Sequence, residues 1–215
     1  MTAATRWTHE ARRCGRQAFL LPVLAALLAY LTSTTGSGAG AGMLLGRSLL
    51  SCALPAATAL ACAAVVAREQ LLELHLSLPT RYPLAVARRL CWPVGVAALA
   101  AGVLVTLLAL TGPREFDPAA VLLELAGLTV LLSGGAVWAT VRFGSAAPAT
   151  GLVVAAVLAK LLLVDRIVPD GTAGALLALP AGALLTVRAL RALEPGRAGA
   201  RLDRGTAPYT SDGET

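Results

Sequence analysis

Charge is scarce in this chain: 14% of its 215 residues are Asp, Glu, Lys or Arg, against about 25% in a soluble domain. Aromatic residues make up only 4%, lysine occurs once (Lys160), and histidine occurs twice (His9 and His75). Each shortage removes a class of chemistry. A nucleotide-hydrolysing P-loop needs a lysine after glycine and then Ser or Thr, so that an ammonium and backbone amides converge on the phosphates. Lys160 stands instead in "LAKLL", so any ATP hydrolysis the chain depends on belongs to another polypeptide. Cys14, Cys52, Cys62 and Cys91 show no C-x-x-C spacing, and with so few histidines neither a zinc nor a haem site is expected. An intramembrane serine protease would pair its serine with a histidine base. "LSGGAV" at Leu132–Val137 supplies the serine alone. The expectation is a chain with no cofactor, no metal and no enzymatic activity of its own.

What the chain has in abundance is apolar length. Hydrophobic residues make up 57% of it, gathered in runs that are apolar all round rather than alternating as β-barrel strands would. A hydrocarbon core of roughly 30 Å takes about 20 helical residues to cross. Six runs fit, near residues 17–32, 43–67, 90–111, 119–141, 149–164 and 171–187. The expected fold is therefore all-α, a polytopic six-helix membrane domain over residues 17–192. It is preceded by a cytoplasmic segment at 1–16 and followed by a disordered cytoplasmic tail at 193–215. "AGA" at Ala39–Ala41 is a faint match to a signal cleavage site, but five further spans would remain.

The arginines set the expected orientation. With loops assigned to alternate sides, Arg6, Arg12, Arg13 and Arg16 share a side with Arg68, Arg81, Arg88, Arg89, Arg142, Arg188, Arg191, Arg197, Arg201 and Arg204. The other side holds Arg47, Arg114, Lys160 and Arg166. Basic residues resist translocation during insertion, so both termini are expected in the cytoplasm. The net charge of +6 suits anionic lipid headgroups, because the arginines flank membrane spans and lack the interleaved aromatics of a nucleic-acid surface. No nucleic-acid partner is expected. Arginine supplies all the basic residues but Lys160, and Ala and Leu dominate. That bias fits a high-GC bacterial genome, and hence the bacterial cytoplasmic membrane.

Connections are short. "TSTTGSGAGAG" at Thr32–Gly42 is expected to be a flexible outer loop, and "TGPREFDPAA" and "DRIVPDG" are the other outer connections. The tight turn "RFGSAAP" at Arg142–Pro148 predicts an antiparallel hairpin between the fourth and fifth spans, with Pro148 in the first turn of the latter. Gly134 and Gly135 let two helix backbones approach closely, and Cys52 and Cys62 are expected to pack as small buried residues. Pro22, Pro55, Pro93 and Pro180 fall in or near spans, and those well inside are expected to kink them. Arg47, Glu124 and Lys160 all fall about one turn inside the outer ends of their spans. There they either snorkel and pair at the interface or form an outer gate.

One cytoplasmic stretch resists explanation by topology: "REQLLELHLSLPTRYPLAVARRL", Arg68–Leu90. Its arginines need only the positive-inside rule. Glu69 and Glu73, one helical turn apart, and the leucines up to Leu78 are not covered by that rule, and clustered exposed leucines point to an interface. Pro79 stops regular structure, and Pro83 suits the start of a second helical piece running into the third span. With Arg68, Glu69, Glu73, the leucines, Pro79, Arg81, Arg88 and Arg89, the segment resembles the coupling element of permease subunits of type-2 ATP-binding-cassette (ABC) exporters. Leu71 and Leu72 stand where Gly-Thr is common in that family and the last outer loop is short, so the resemblance is to a divergent or reduced member.

The resemblance implies six spans, a separate cytoplasmic ATP-binding-cassette subunit docked on this segment, and pairing as a homodimer or with a related permease. The alternative expectation, from a different class, is a membrane scaffold or assembly protein whose cytoplasmic parts recruit a partner. An ion-coupled transporter would need an ionisable residue near the bilayer midplane, and none of the six runs supplies one.

Overall fold

A helix that is apolar all round has no face to give to water, so it must pack on neighbours or lie in an apolar medium. The computed structural model describes residues 15–35, 41–70, 82–111, 117–164 and 171–192. The described residues form six α-helices: α1 (Arg16–Thr35), α2 (Ala41–Gln70), α3 (Tyr82–Thr111), α4 (Pro118–Phe143), α5 (Ala147–Ala159) and α6 (Gly171–Ala192). α5 runs on into a π-helical turn, Lys160–Val164. No strand occurs among the described residues.

Four helices hold a stretch long and apolar enough to cross a membrane: Ser51–Arg68, Val86–Thr111, Pro118–Phe143 and Gly174–Ala192. The apolar parts of α1 and α5, Ala18–Ser33 and Ala147–Leu162, are shorter.

Helices extend further than hydropathy alone predicts. α3 begins at Tyr82, so the returning helical piece and the third span are one continuous helix. α6 runs to Ala192, past the expected end near 187. The expected outer loop Thr32–Gly42 is shortened from both sides, because α1 reaches Thr35 and α2 starts at Ala41. Hydroxyls explain the extension of α1. Thr32 donates to the Leu28 carbonyl at 2.9 Å, and Ser33 donates to that of Tyr30 at 2.7 Å, so polar residues stay satisfied inside the helix. Each helix continues as one element through its internal proline: Pro22, Pro55, Pro93 and Pro180.

The hairpin between α4 and α5 is as the sequence predicts. Gly144 takes the left-handed conformation at the end of α4 (φ 70°) and donates its N–H to Thr140, a glycine stop that other residues adopt at a cost. Pro148 lies in the first turn of α5. The start of α4 is fixed by Asp117, whose carboxylate accepts the N–H groups of Ala119 (2.9 Å) and Ala120 (3.3 Å).

Packing fixes the direction of every helix. Ala18 meets Val65, and Ala26 meets Leu54, so α1 and α2 are antiparallel. Val66 meets Val86 and Leu90, whereas Leu54 meets Ala101 and Val105, so α3 runs opposite to α2. Ala139 clusters with Ala149, and a Cβ on Gly135 would stand 3.2 Å from Leu152, as an antiparallel α4 and α5 require. α6 runs parallel to α4: Gly127 faces Ala175, and Gly134 faces Gly182 and Thr186.

α2 and α4 contribute to each of the three larger buried clusters and form the middle of the bundle. Outward faces are apolar. Leu24, Leu28, Leu99, Val103, Leu110, Leu158 and Leu177 are all exposed, the reverse of a water-facing surface.

Candidate functional sites at the two ends of the bundle

Alternating directions bring the ends of α2, α4 and α6 together with the starts of α1, α3 and α5. One buried cluster joins four of these ends: Cys62 and Val66 of α2, Val86 and Leu90 of α3, Val137 of α4 and Ala189 of α6. The arginines stand just beyond it. Arg68, Arg88, Arg142, Arg188 and Arg191 are exposed at this end, and Arg89 is half-buried. The acidic side chains described, Asp117 and Glu124, both belong to the opposite end. The charge asymmetry read along the sequence is therefore present in three dimensions.

Of the residues singled out between α2 and α3, Arg68 lies in the last turn of α2. Its guanidinium fills the space a Cβ on Gly15 would need, and Gly15 itself has φ 79°. The positive φ calls for glycine at that position, whereas the arginine tip could move aside. The contact ties the start of α1 to the end of α2. Phe19 and Trp92 strengthen the same corner, their rings edge to face with centroids 5.9 Å apart. Glu69 is placed by its backbone in the final turn of α2. Glu73, Pro79 and Arg81 lie outside the described residues. Arg88 and Arg89 stand within the second turn of α3.

At the opposite end, Lys160 and Glu124 form an ion pair at 2.9 Å, with side chains 12% and 27% exposed. Glu124 lies six residues into α4, about 9 Å along its axis. Lys160 opens the π-helical turn, a local widening that shifts the side chains after it. The two charges expected to pair or to gate thus neutralise each other. Arg47 is placed by its backbone in the second turn of α2, and its side chain lies outside the described residues.

Buried polar groups are few among the described residues, and the hydroxyls of three of them donate to carbonyls of their own helices. Thr58, Thr129, Ser133 and Thr140 are the buried polar residues described. The Thr58 hydroxyl donates to the Leu54 carbonyl at 2.8 Å, Ser133 to Thr129 at 2.6 Å, and Thr140 to Ala136 at 2.8 Å. Ser133 is therefore held as a helix hydroxyl rather than presented as a nucleophile. Cys52 and Cys62 are buried, as their small apolar character predicts, and Cys91 is exposed. No group of three metal-ligating side chains occurs among the described residues. An open groove of about 520 Å³ lies on α3, lined by Cys91, Trp92, Gly95, Val96, Ala98 and Leu99. The described residues that line it all come from that one helix.

The sequence reading missed the α4–α6 contact. Gly134 was legible as a packing residue, but its partner Gly182 and the second contact at Gly127 were not. In a chain with 21 glycines, the heptad recurrence of Gly127 and Gly134 against Ala175 and Gly182 is the signal that was available. No family model, curated protein or solved structure matches the chain.

Proposed function

We propose that the chain is an integral membrane protein of six spans with both termini in the cytoplasm. In this reading it is the membrane-spanning subunit of an ABC-type exporter of the bacterial cytoplasmic membrane. ATP is hydrolysed by a separate subunit docked on the segment 68–90. α1 and α5 supply the two shorter spans: the 20 residues of α1 reach about 30 Å, and α5 is lengthened by its π-helical turn. The arginine-rich end faces the cytoplasm by the positive-inside rule.

The observation that carries the reading is the meeting of three helix ends at that arginine-rich end. α2 finishes at Gln70 and α3 starts at Tyr82, and α1 begins beside Arg68. A partner that moved the intervening segment would act on α2 and α3 together. Both reach the middle of the bundle, where Leu54 meets Ala101, Val105 and Leu125. The test is co-purification in mild detergent, with a cassette ATPase expected to accompany the chain. Replacing Glu69 and Glu73 by Lys should release that ATPase while membrane insertion stays normal. Recovery of the chain alone, with export unchanged in a deletion strain, would contradict the transport reading.

A second reading is favoured by the interior. The buried hydroxyls of Thr58 and Ser133 bond within their own helices, among Ala, Leu and Val, and so offer little polar surface to a solute. That suits a scaffold recruiting a cytoplasmic partner. Capture of a partner other than an ATPase, through the same segment, would favour this reading.

A further inference from the structure

α4 and α6 touch backbone to backbone and run in the same direction. Gly127 faces Ala175 and Gly134 faces Gly182, each pair 48 positions apart in sequence (127 to 175, 134 to 182). A methyl group on Gly182 would overlap the backbone of Val130 and Leu131, so the approach admits no side chain between the helices. Continued in the same register, Arg142 stands level with Leu190. Arg188 and Arg191 then bracket it, about 3 Å short of that level and about 1.5 Å beyond it along the axis. The cluster uniting Val137 and Val141 with Ala189 and Leu190 shows that the helices remain packed to this height.

All three arginines are exposed. On α6 they surmount an apolar column: Leu184 lies four residues before Arg188 and Val187 four before Arg191, the spacing of stacked side chains on one face. Leu184 and Val187 are exposed too. No Asp or Glu side chain is described at this end. Positive-inside sorting requires basic residues on one side but is indifferent to their register across two helices. It leaves three exposed arginines within about 5 Å of one height on a close-packed pair, over exposed Leu184 and Val187, unaccounted for.

We propose that the α4–α6 pair binds an anionic phospholipid at this end. Arg142, Arg188 and Arg191 hold its phosphodiester, and Leu184 and Val187 lie against its acyl chains. Guanidinium matches phosphate oxygens through paired N–H donors, and the apolar column distinguishes a lipid from a free anion. The inference rests on the membrane reading above and not on the transport reading.

The test uses full-length protein purified in detergent and offered equal amounts of phosphatidylglycerol and phosphatidylcholine, with bound lipid counted by native mass spectrometry. Retained phosphatidylglycerol in preference to phosphatidylcholine is expected. The triple variant R142Q/R188Q/R191Q should lose it by on the order of a hundredfold, at about fivefold per arginine near an anionic surface. Arg88→Gln, which changes an exposed arginine of α3, should leave retention unchanged.

Equal binding of both lipids by the unaltered protein would overturn the site whether or not the variant folds. An equal loss in Arg88→Gln, or displacement by excess inorganic phosphate, would overturn it as well, the first indicating diffuse charge and the second a free-anion site. Alkaline carbonate extraction separates the two levels of the argument. A chain released from membranes contradicts the membrane reading, whereas a chain that stays but does not discriminate lipids contradicts only the site.

Discussion

Gly134 and Gly182 carry the tightest constraint on any residue described. A side chain at either position would overlap backbone of the facing helix, and backbone cannot move aside as a flexible side-chain tip can. Gly134→Leu is expected to destabilise the protein by about 1–3 kcal/mol or to displace α6, seen as a lower unfolding temperature in detergent. The same substitution at Gly151, where a Cβ has open space, should change little.

The Glu124–Lys160 pair makes a second prediction at this scale. Either single neutralisation leaves a partly buried charge and should cost about 2 kcal/mol, between the values for surface and buried pairs. The exchanged pair, Glu124→Lys with Lys160→Glu, should recover most of that stability. If the exchange is no better than the single changes, the pair does not hold α5 to α4. Both charges were legible in the sequence as intramembrane outliers. Pairing was one of the two expectations for them; which of the three charges meet was not legible, because it depends on how the α4–α5 hairpin is closed by Gly144.

At the scale of elements, the helices follow apolar periodicity closely but outrun it at their ends. Thr32, Ser33, Thr106 and Thr111 each return a hydroxyl proton to a carbonyl of their own helix. A polar residue therefore need not mark a helix end in an apolar medium, and hydropathy alone misplaces such ends. The hairpin of α4 and α5 was legible because glycine and proline stand where a turn needs them. The α4–α6 pairing was not, since the relation between distant helices is written only in small residues that abound throughout the chain.

The interior hydroxyls give the test at this scale. Thr58→Val and Ser133→Ala remove hydrogen bonds internal to a helix, so stability should change by less than about 1.5 kcal/mol and function should be retained. Loss of transport with unchanged stability would mean that these hydroxyls line a path.

For the whole molecule, two asymmetries matter: apolar side chains face outward, and exposed arginines gather at one end. Composition made the first legible and alternating loops the second, and both reappear in the packing directions of six helices. Span number was less legible, because four stretches meet the length requirement and two fall short of it.

The central claim, a membrane-crossing bundle with its basic end in the cytoplasm, is tested most directly by thiol labelling in intact cells. The protein is first freed of its own cysteines. Asp117→Cys, before α4, should react with a membrane-impermeant reagent added outside, and Ser145→Cys, in the turn after α4, should react only once the cells are opened. Labelling of Ser145→Cys from outside, or equal labelling of both positions, would contradict the account.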